Sequence, residues 1–104
     1  MATVTPALEP RQANRTAPLW NVILLNDDDH TYEYVVEMLG KIFGHSVDKA
    51  LLMAFEVDTA GKVIVDTTSK ERAELKQEQV HAYGADPRIP TSKGSMTAEI
   101  EPSC

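Results

Sequence analysis

The chain has a single cysteine, Cys104, among its 104 residues. One thiol can neither close an internal disulfide nor build a zinc site, so neither device staples this fold. A chain without disulfides fits a reducing compartment, and the expected location is the cytoplasm. Basic residues are scarce: ten Lys and Arg stand against sixteen Asp and Glu, a formal charge of −6. With no basic patch to attract phosphates, nucleic acid and anionic membranes are poor partners, and cationic ones are favoured. Long apolar runs are missing too. Nothing approaches a membrane span, and the opening "MATVTPALEPRQANRTAP" lacks the apolar stretch of a signal peptide. The serines, at 46, 69, 92, 95 and 103, have no nucleophile-elbow glycines around them, so acyl-transfer chemistry has no foothold. His30, His45 and His81 lie near expected helix ends, where a histidine is usually a capping or surface group.

What is present is an ordinary globular composition, 42% hydrophobic and 25% charged, in a chain long enough for one domain. Residues 1–18 hold half of the six prolines and no periodicity, which predicts a flexible arm ahead of a folded domain over 19–104.

Trp20-Asn21-Val22-Ile23-Leu24-Leu25 is a short apolar run rich in β-branched and aromatic residues, and reads as a strand. From Thr31 the period changes: Tyr32, Val35, Val36, Leu39 and Phe43 recur at helical spacing, and Gly44 suits a C-cap. Ser46 can cap a second helix, with Val47, Ala50, Leu51 and Ala54 on one face. Ala60-Gly61-Lys62 is a turn and Val63-Ile64-Val65 a second strand. In Thr68-Ser69-Lys70-Glu71 the capping-box pattern makes Thr68 the cap of a third helix, running to about Tyr83. That helix is mostly polar. Only Ala73, Leu75, Val80, Ala82 and Tyr83 could bury much of it, so a broad face is left for solvent or a partner. Residues 86–94 form a loop, and Ser95 to Ile100 alternates as a third strand. The expected fold is α+β: a small three-stranded antiparallel sheet with three helices, order β-α-α-β-α-β.

The stretch "LLNDDDHT", residues 24–31, turns from apolar to acidic within two residues. Three adjacent carboxylates repel one another unless a cation answers them. Asp27, Asp28, Asp29 and His30 are chemically able to hold a metal, but their spacing lacks the alternation and the glycine of a calcium loop. Alternatively, Asp28, Asp29 or Thr31 caps the following helix and complements its dipole.

"WNVILLNDDDHTYEYVVEMLGKIFGHS", followed by "GKVIV", "TSKERAELK" and "GSMTAEIE", resembles the ClpS family of adaptor proteins over roughly residues 19–101. The Asn-Asp-Asp turn between a first strand and a helix is that family's hallmark. The resemblance implies a non-enzymatic adaptor without a cofactor. Such an adaptor binds substrates whose amino terminus is a bulky apolar residue (Phe, Tyr, Trp or Leu). It delivers them to the amino-terminal domain of a ClpA- or ClpC-like ATPase for unfolding and proteolysis. The awaited cation would then be an α-ammonium group, mostly charged at neutral pH, whose three N–H donors need fixed acceptors.

Carried over by the resemblance, Asn26 and Asp27 would receive the ammonium, Asp28 would hold the turn, and His30 and Thr31 would meet the backbone just beyond. Tyr32, Val35, Ala54 and Val57 would line the pocket for the first side chain. Glu71 and Lys76 match charged positions that dock on the ATPase. The chain departs from the family pattern at three positions. Asp58 stands where a histidine usually also contacts the ammonium, and Tyr32 and Ala54 stand where many members have methionines. A module that docks on the ATPase without reading amino termini is the alternative that Asp58 keeps open. Nothing suggests a large apolar interface, so a monomer is expected.

Overall fold

A computed structural model of the chain describes residues 18–27 and 30–103. The expected arm, apart from Pro18, lies outside the described residues, as does Cys104. The elements follow in the expected order: β1 (Leu19–Leu25), α1 (Tyr32–Phe43), α2 (Val47–Ala60), β2 (Lys62–Ser69), α3 (Lys70–His81) and β3 (Ala98–Pro102).

β1 is the central strand, with β2 and β3 antiparallel on either side of it. Strand side chains alternate, so Val22 and Leu24 of β1, Val63 of β2 and Ala98 of β3 all face the helices. They join Tyr34, Val35, Met38 and Leu39 of α1, Ala50, Ala54 and Val57 of α2, and Ala73 and Val80 of α3 in one core cluster. β2 is longer than its apolar centre suggests because its polar half, Asp66 to Ser69, keeps pairing with β1. Val22 pairs with Asp66 and Ile23 with Ile64, which leaves Val65 as the extra residue of a β-bulge. The bulge frees the Val65 carbonyl from the ladder. His45 Nε2 donates to it at 2.7 Å, from a ring stacked on Phe43.

Each helix starts on a hydroxyl that replaces a missing intrahelical acceptor. Thr31 accepts from the Tyr34 N–H, Ser46 from Lys49 and Ser69 from Arg72. The cap of α3 is therefore Ser69 rather than Thr68: Thr68 is still paired with Trp20 in the sheet, and the chain turns only after it. α1 ends at Gly44 with φ 72°, a left-handed cap open to a residue without a Cβ.

The buried stripe of α2 is Ala50, Ala54 and Val57, one turn apart. Val47 and Leu51, expected on that face, are 63% and 43% exposed. Small alanines at the contact bring α2 close to its neighbours, and the stripe they define leaves the two larger residues at its margin. On α3, Ala73 and Val80 are buried and Leu75 is exposed. β3 starts at Ala98 rather than Ser95 and runs to Pro102. Ser95 is engaged elsewhere, its hydroxyl accepting from the Gly84 N–H at 2.6 Å.

Candidate functional site

β1 ends against two different segments. The Leu25 N–H donates to Thr97 O at 2.9 Å and the Asn26 N–H to Gly61 O at 3.0 Å. Asn26 is thereby pinned to the end of the sheet. Around this point Asn26, Asp27, His30, Thr31, Tyr32, Val35, Ala54, Val57, Asp58 and Met96 enclose one cavity of about 40 Å³. Nine of these ten residues were expected in the site from sequence. The remaining expected residue, Asp28, lies outside the described residues.

The walls divide by chemistry. Val35, Ala54 and Val57 are core residues of α1 and α2, and Met96 closes the cavity from the stretch before β3. Sequence reasoning missed Met96. Its signal was the alternation Met96, Ala98, Ile100, which turns all three toward the helices. The polar side includes Asn26, Asp27 and Asp58, each with side-chain oxygens that can accept hydrogen bonds.

His30 is buried by its side chain, 2% exposed. Its Nδ1 lies 2.6 Å from Asp27 Oδ1 and its Nε2 2.6 Å from the Gly94 carbonyl. The ring also packs on Tyr34, with centroids 4.4 Å apart. Such a histidine orients the Asp27 carboxylate toward one edge of the cavity and ties the turn to the 86–94 loop.

Thr31 is tied to the same loop. Its N–H and hydroxyl both donate to Asp86 Oδ2, at 2.7 and 2.8 Å. Asp86 is buried, and burial alone would raise its pKa. Hydrogen bonds from the Arg88 and Thr31 backbones, the Thr31 hydroxyl and the Arg88 guanidinium outweigh it and hold the group at about 2. Arg88 reaches on to Glu37 of α1 at 2.8 Å. No local sequence signal marked this aspartate, because its main partner is 55 residues away.

Tyr32 and Asp58 face each other across the two helices, the Tyr32 hydroxyl donating to Asp58 Oδ2 at 2.9 Å. That hydrogen bond, with a smaller contribution from desolvation and from the charge itself, raises the phenol above its ordinary pKa. The same tyrosine forms one wall of a larger groove of about 380 Å³ along α1 and α2. Val36, Val47 and Leu51 supply its apolar lining and Glu33, Glu37 and Arg88 its rim.

The two residues expected to dock an ATPase sit on α3, away from this cavity. Glu71 is exposed in the first turn. Lys76 is half-buried: its Nζ donates to the Ile42 carbonyl at 2.6 Å and lies 5.7 Å from the Phe43 ring. Among the described residues no group of three or more His, Cys, Asp or Glu is arranged to hold a metal, and Asp28 and Asp29 lie outside them. Also among the described residues, no helix is long and apolar enough to cross a membrane.

The cavity is thus an apolar recess edged by an amide and two carboxylates. The chain is similar to the ATP-dependent Clp protease adapter protein ClpS of Desulforapulum autotrophicum. They share 30% identity over 105 residues, 95% of this chain and all of the relative. The ClpS of Salmonella arizonae is 34% identical over 80 residues, 77% of this chain and 76% of that protein. Among solved structures, Agrobacterium tumefaciens ClpS2 bound to L-phenylalaninamide matches with a TM-score of 0.71 at 26% identity. That match covers 83% of this chain and 98% of the other. The family described as ATP-dependent Clp protease adaptor protein ClpS matches residues 15–90. The three-stranded antiparallel sheet and the β-α-α-β-α-β order agree with these matches, and the chain belongs to the ClpS family of Clp protease adaptors.

Proposed function

We propose that this adaptor binds the amino terminus of proteins that begin with a bulky apolar residue and hands them to a Clp ATPase. The observation that carries the reading is the convergence of Asn26, Asp27 and Asp58 with Val35, Ala54 and Val57 on one cavity. The carboxylates and the amide accept from an α-ammonium group, and the apolar residues take the side chain attached to the same carbon. The ligand in the ClpS2 structure supports this, since L-phenylalaninamide has both an amino group and a benzyl side chain on one carbon. Asp58 adds attraction for the ammonium where other members rely on histidine. Asp28 belongs to the same site in this reading, Thr31 lies beside the backbone beyond the first residue, and His30 acts by holding Asp27. The polar face of α3, with Glu71 at its start, docks on the amino-terminal domain of a ClpA- or ClpC-like partner. Lys76 serves that face partly by fixing the end of α1. The adaptor works as a cytoplasmic monomer.

Fluorescence anisotropy of labelled peptides beginning with Phe, Tyr, Trp or Leu tests the reading. Micromolar binding of the free termini, lost on α-acetylation and absent for an Ala terminus, is the expected result. Acetylation removes the charge and two of the donors together, so a terminus that binds equally well when acetylated would sink the proposal. Failure of every free terminus to bind, with a Clp ATPase domain still captured, would favour a docking module that reads no termini.

A further inference from the structure

We infer that Tyr32 and Asp58 form a latch over the first-residue pocket, and that the incoming α-ammonium releases it by taking Asp58 from the Tyr32 hydroxyl. The inference rests on the amino-terminus reading of the cavity and concerns how that site is gated.

Volume decides the matter. The cavity of about 40 Å³ has room for a water or two. An apolar cavity that accepts a benzene ring needs about 150 Å³. A wall must therefore move before a Phe or Leu side chain can enter. Val35, Ala54, Val57 and Met96 are packed in the core at 4% exposure or less and cannot give that space cheaply. Asn26 is tied by its backbone to Gly61, and Asp27 by its carboxylate to His30. Thr31 is fixed twice to Asp86. Tyr32 is different: it is 39% exposed, and its ring is tethered across the cavity by the single hydrogen bond to Asp58.

The ring also has somewhere to go. Tyr32 is shared between the small cavity and the groove of about 380 Å³ beside it, where Val36, Val47 and Leu51 offer an apolar seat. Turning about χ1 would carry the ring from one side to the other without unpacking either helix. The exposed margin of α2 at Val47 and Leu51 thus acquires a use.

The coupling gives the device its selectivity. Asp58 accepts from the phenol while the pocket is shut. An ammonium group is the stronger donor to a carboxylate and displaces the neutral hydroxyl. Capture of the charge and opening of the pocket become one event, so a bulky apolar group without an α-ammonium meets a closed wall. Ala54 supplies depth once the ring has moved, whereas a larger residue there would leave the swing without benefit.

The test is the apparent Kd of a Phe-terminated peptide for four proteins: the native chain, Tyr32→Phe, Asp58→Ala and the double variant. Melting temperatures would confirm that all four are folded. Removing the phenol oxygen keeps the ring and deletes the tether. A protein whose competent state is only fractionally populated binds more weakly by that fraction. Tyr32→Phe should therefore tighten binding about three- to tenfold, the range for one exposed hydrogen bond. In the Asp58→Ala background the same substitution should change nothing, since the catch is already gone. Unchanged or weaker binding by Tyr32→Phe overturns the latch while leaving the amino-terminus reading intact. An equal gain in both backgrounds also overturns it, because the effect would then be ring hydrophobicity. Binding by none of the four removes the amino-terminus reading and the latch with it.

Discussion

The backbone N–H and the hydroxyl of Thr31 both end on one oxygen of Asp86, at 2.7 and 2.8 Å. A single buried carboxylate thus fixes the residue that caps α1 and, through it, the exit of the acidic turn. One oxygen of one side chain joins the start of α1 to a loop far along the chain.

Asp86→Ala should cost about 3 kcal/mol, because it strands donors that made charge-assisted hydrogen bonds in a buried place. A shift of the urea midpoint without a change in slope is the expected result. A cost under about 0.5 kcal/mol would mean that water replaces the carboxylate freely.

The same group sets an acid limb. Its folded pKa of about 2 lies below the ordinary 3.8, so the unfolded chain binds the proton first. Its stabilising contribution is complete above the unfolded value and is lost as pH falls from about 4 toward 2. Urea midpoints at pH 5, 4 and 3 should fall for the native protein and fall less for Asp86→Asn. Parallel curves for the two would contradict this assignment.

His45 satisfies the carbonyl that the β2 bulge leaves over, at 2.7 Å. His45→Ala leaves that oxygen without its partner and removes the stack on Phe43. A loss of about 1–2 kcal/mol is expected. Hydrogen exchange should quicken first in β2 around Asp66, where the ladder is already interrupted.

Glu71 and Lys76 should separate. Lys76→Met gives up the bond to the Ile42 carbonyl and lowers stability by about 1 kcal/mol. Glu71→Ala, at an exposed position, should leave the melting temperature alone. If both also weaken capture of a Clp ATPase domain, only the Glu71 loss reports contact directly. Wild-type capture by Glu71→Ala would move the docking face elsewhere.

Much of this was legible in the residues because local physics decides it. The change of period at Thr31, the glycine at 44 and the hydroxyl at 46 mark helix ends that the structure keeps. The cavity was legible only through the resemblance to the ClpS family, since periodicity by itself marked Val35 and Ala54 as no more than core positions. The Thr68 cap failed for a nonlocal reason: pairing with Trp20 held the strand for one more residue. Val47 and Leu51 were misplaced because periodicity assigns a face but not its width, and alanine contacts made the buried stripe narrow. Asp86, Gly94 and the Tyr32–Asp58 bond had no local signature, since each joins segments that meet only in the fold.

The central position of β1 has a consequence for how the domain comes into being. Its first neighbour, β2, follows after two helices, but its second neighbour arrives only with Ala98 to Pro102. A ribosome therefore releases the middle of the sheet long before its far border. Until the last strand emerges, Trp20 to Leu24 present an unpaired row of backbone groups to whatever extended chain is near. That interval, rather than the finished domain, is when this protein is most open to mispairing, and a truncation before Ala98 would make the interval permanent.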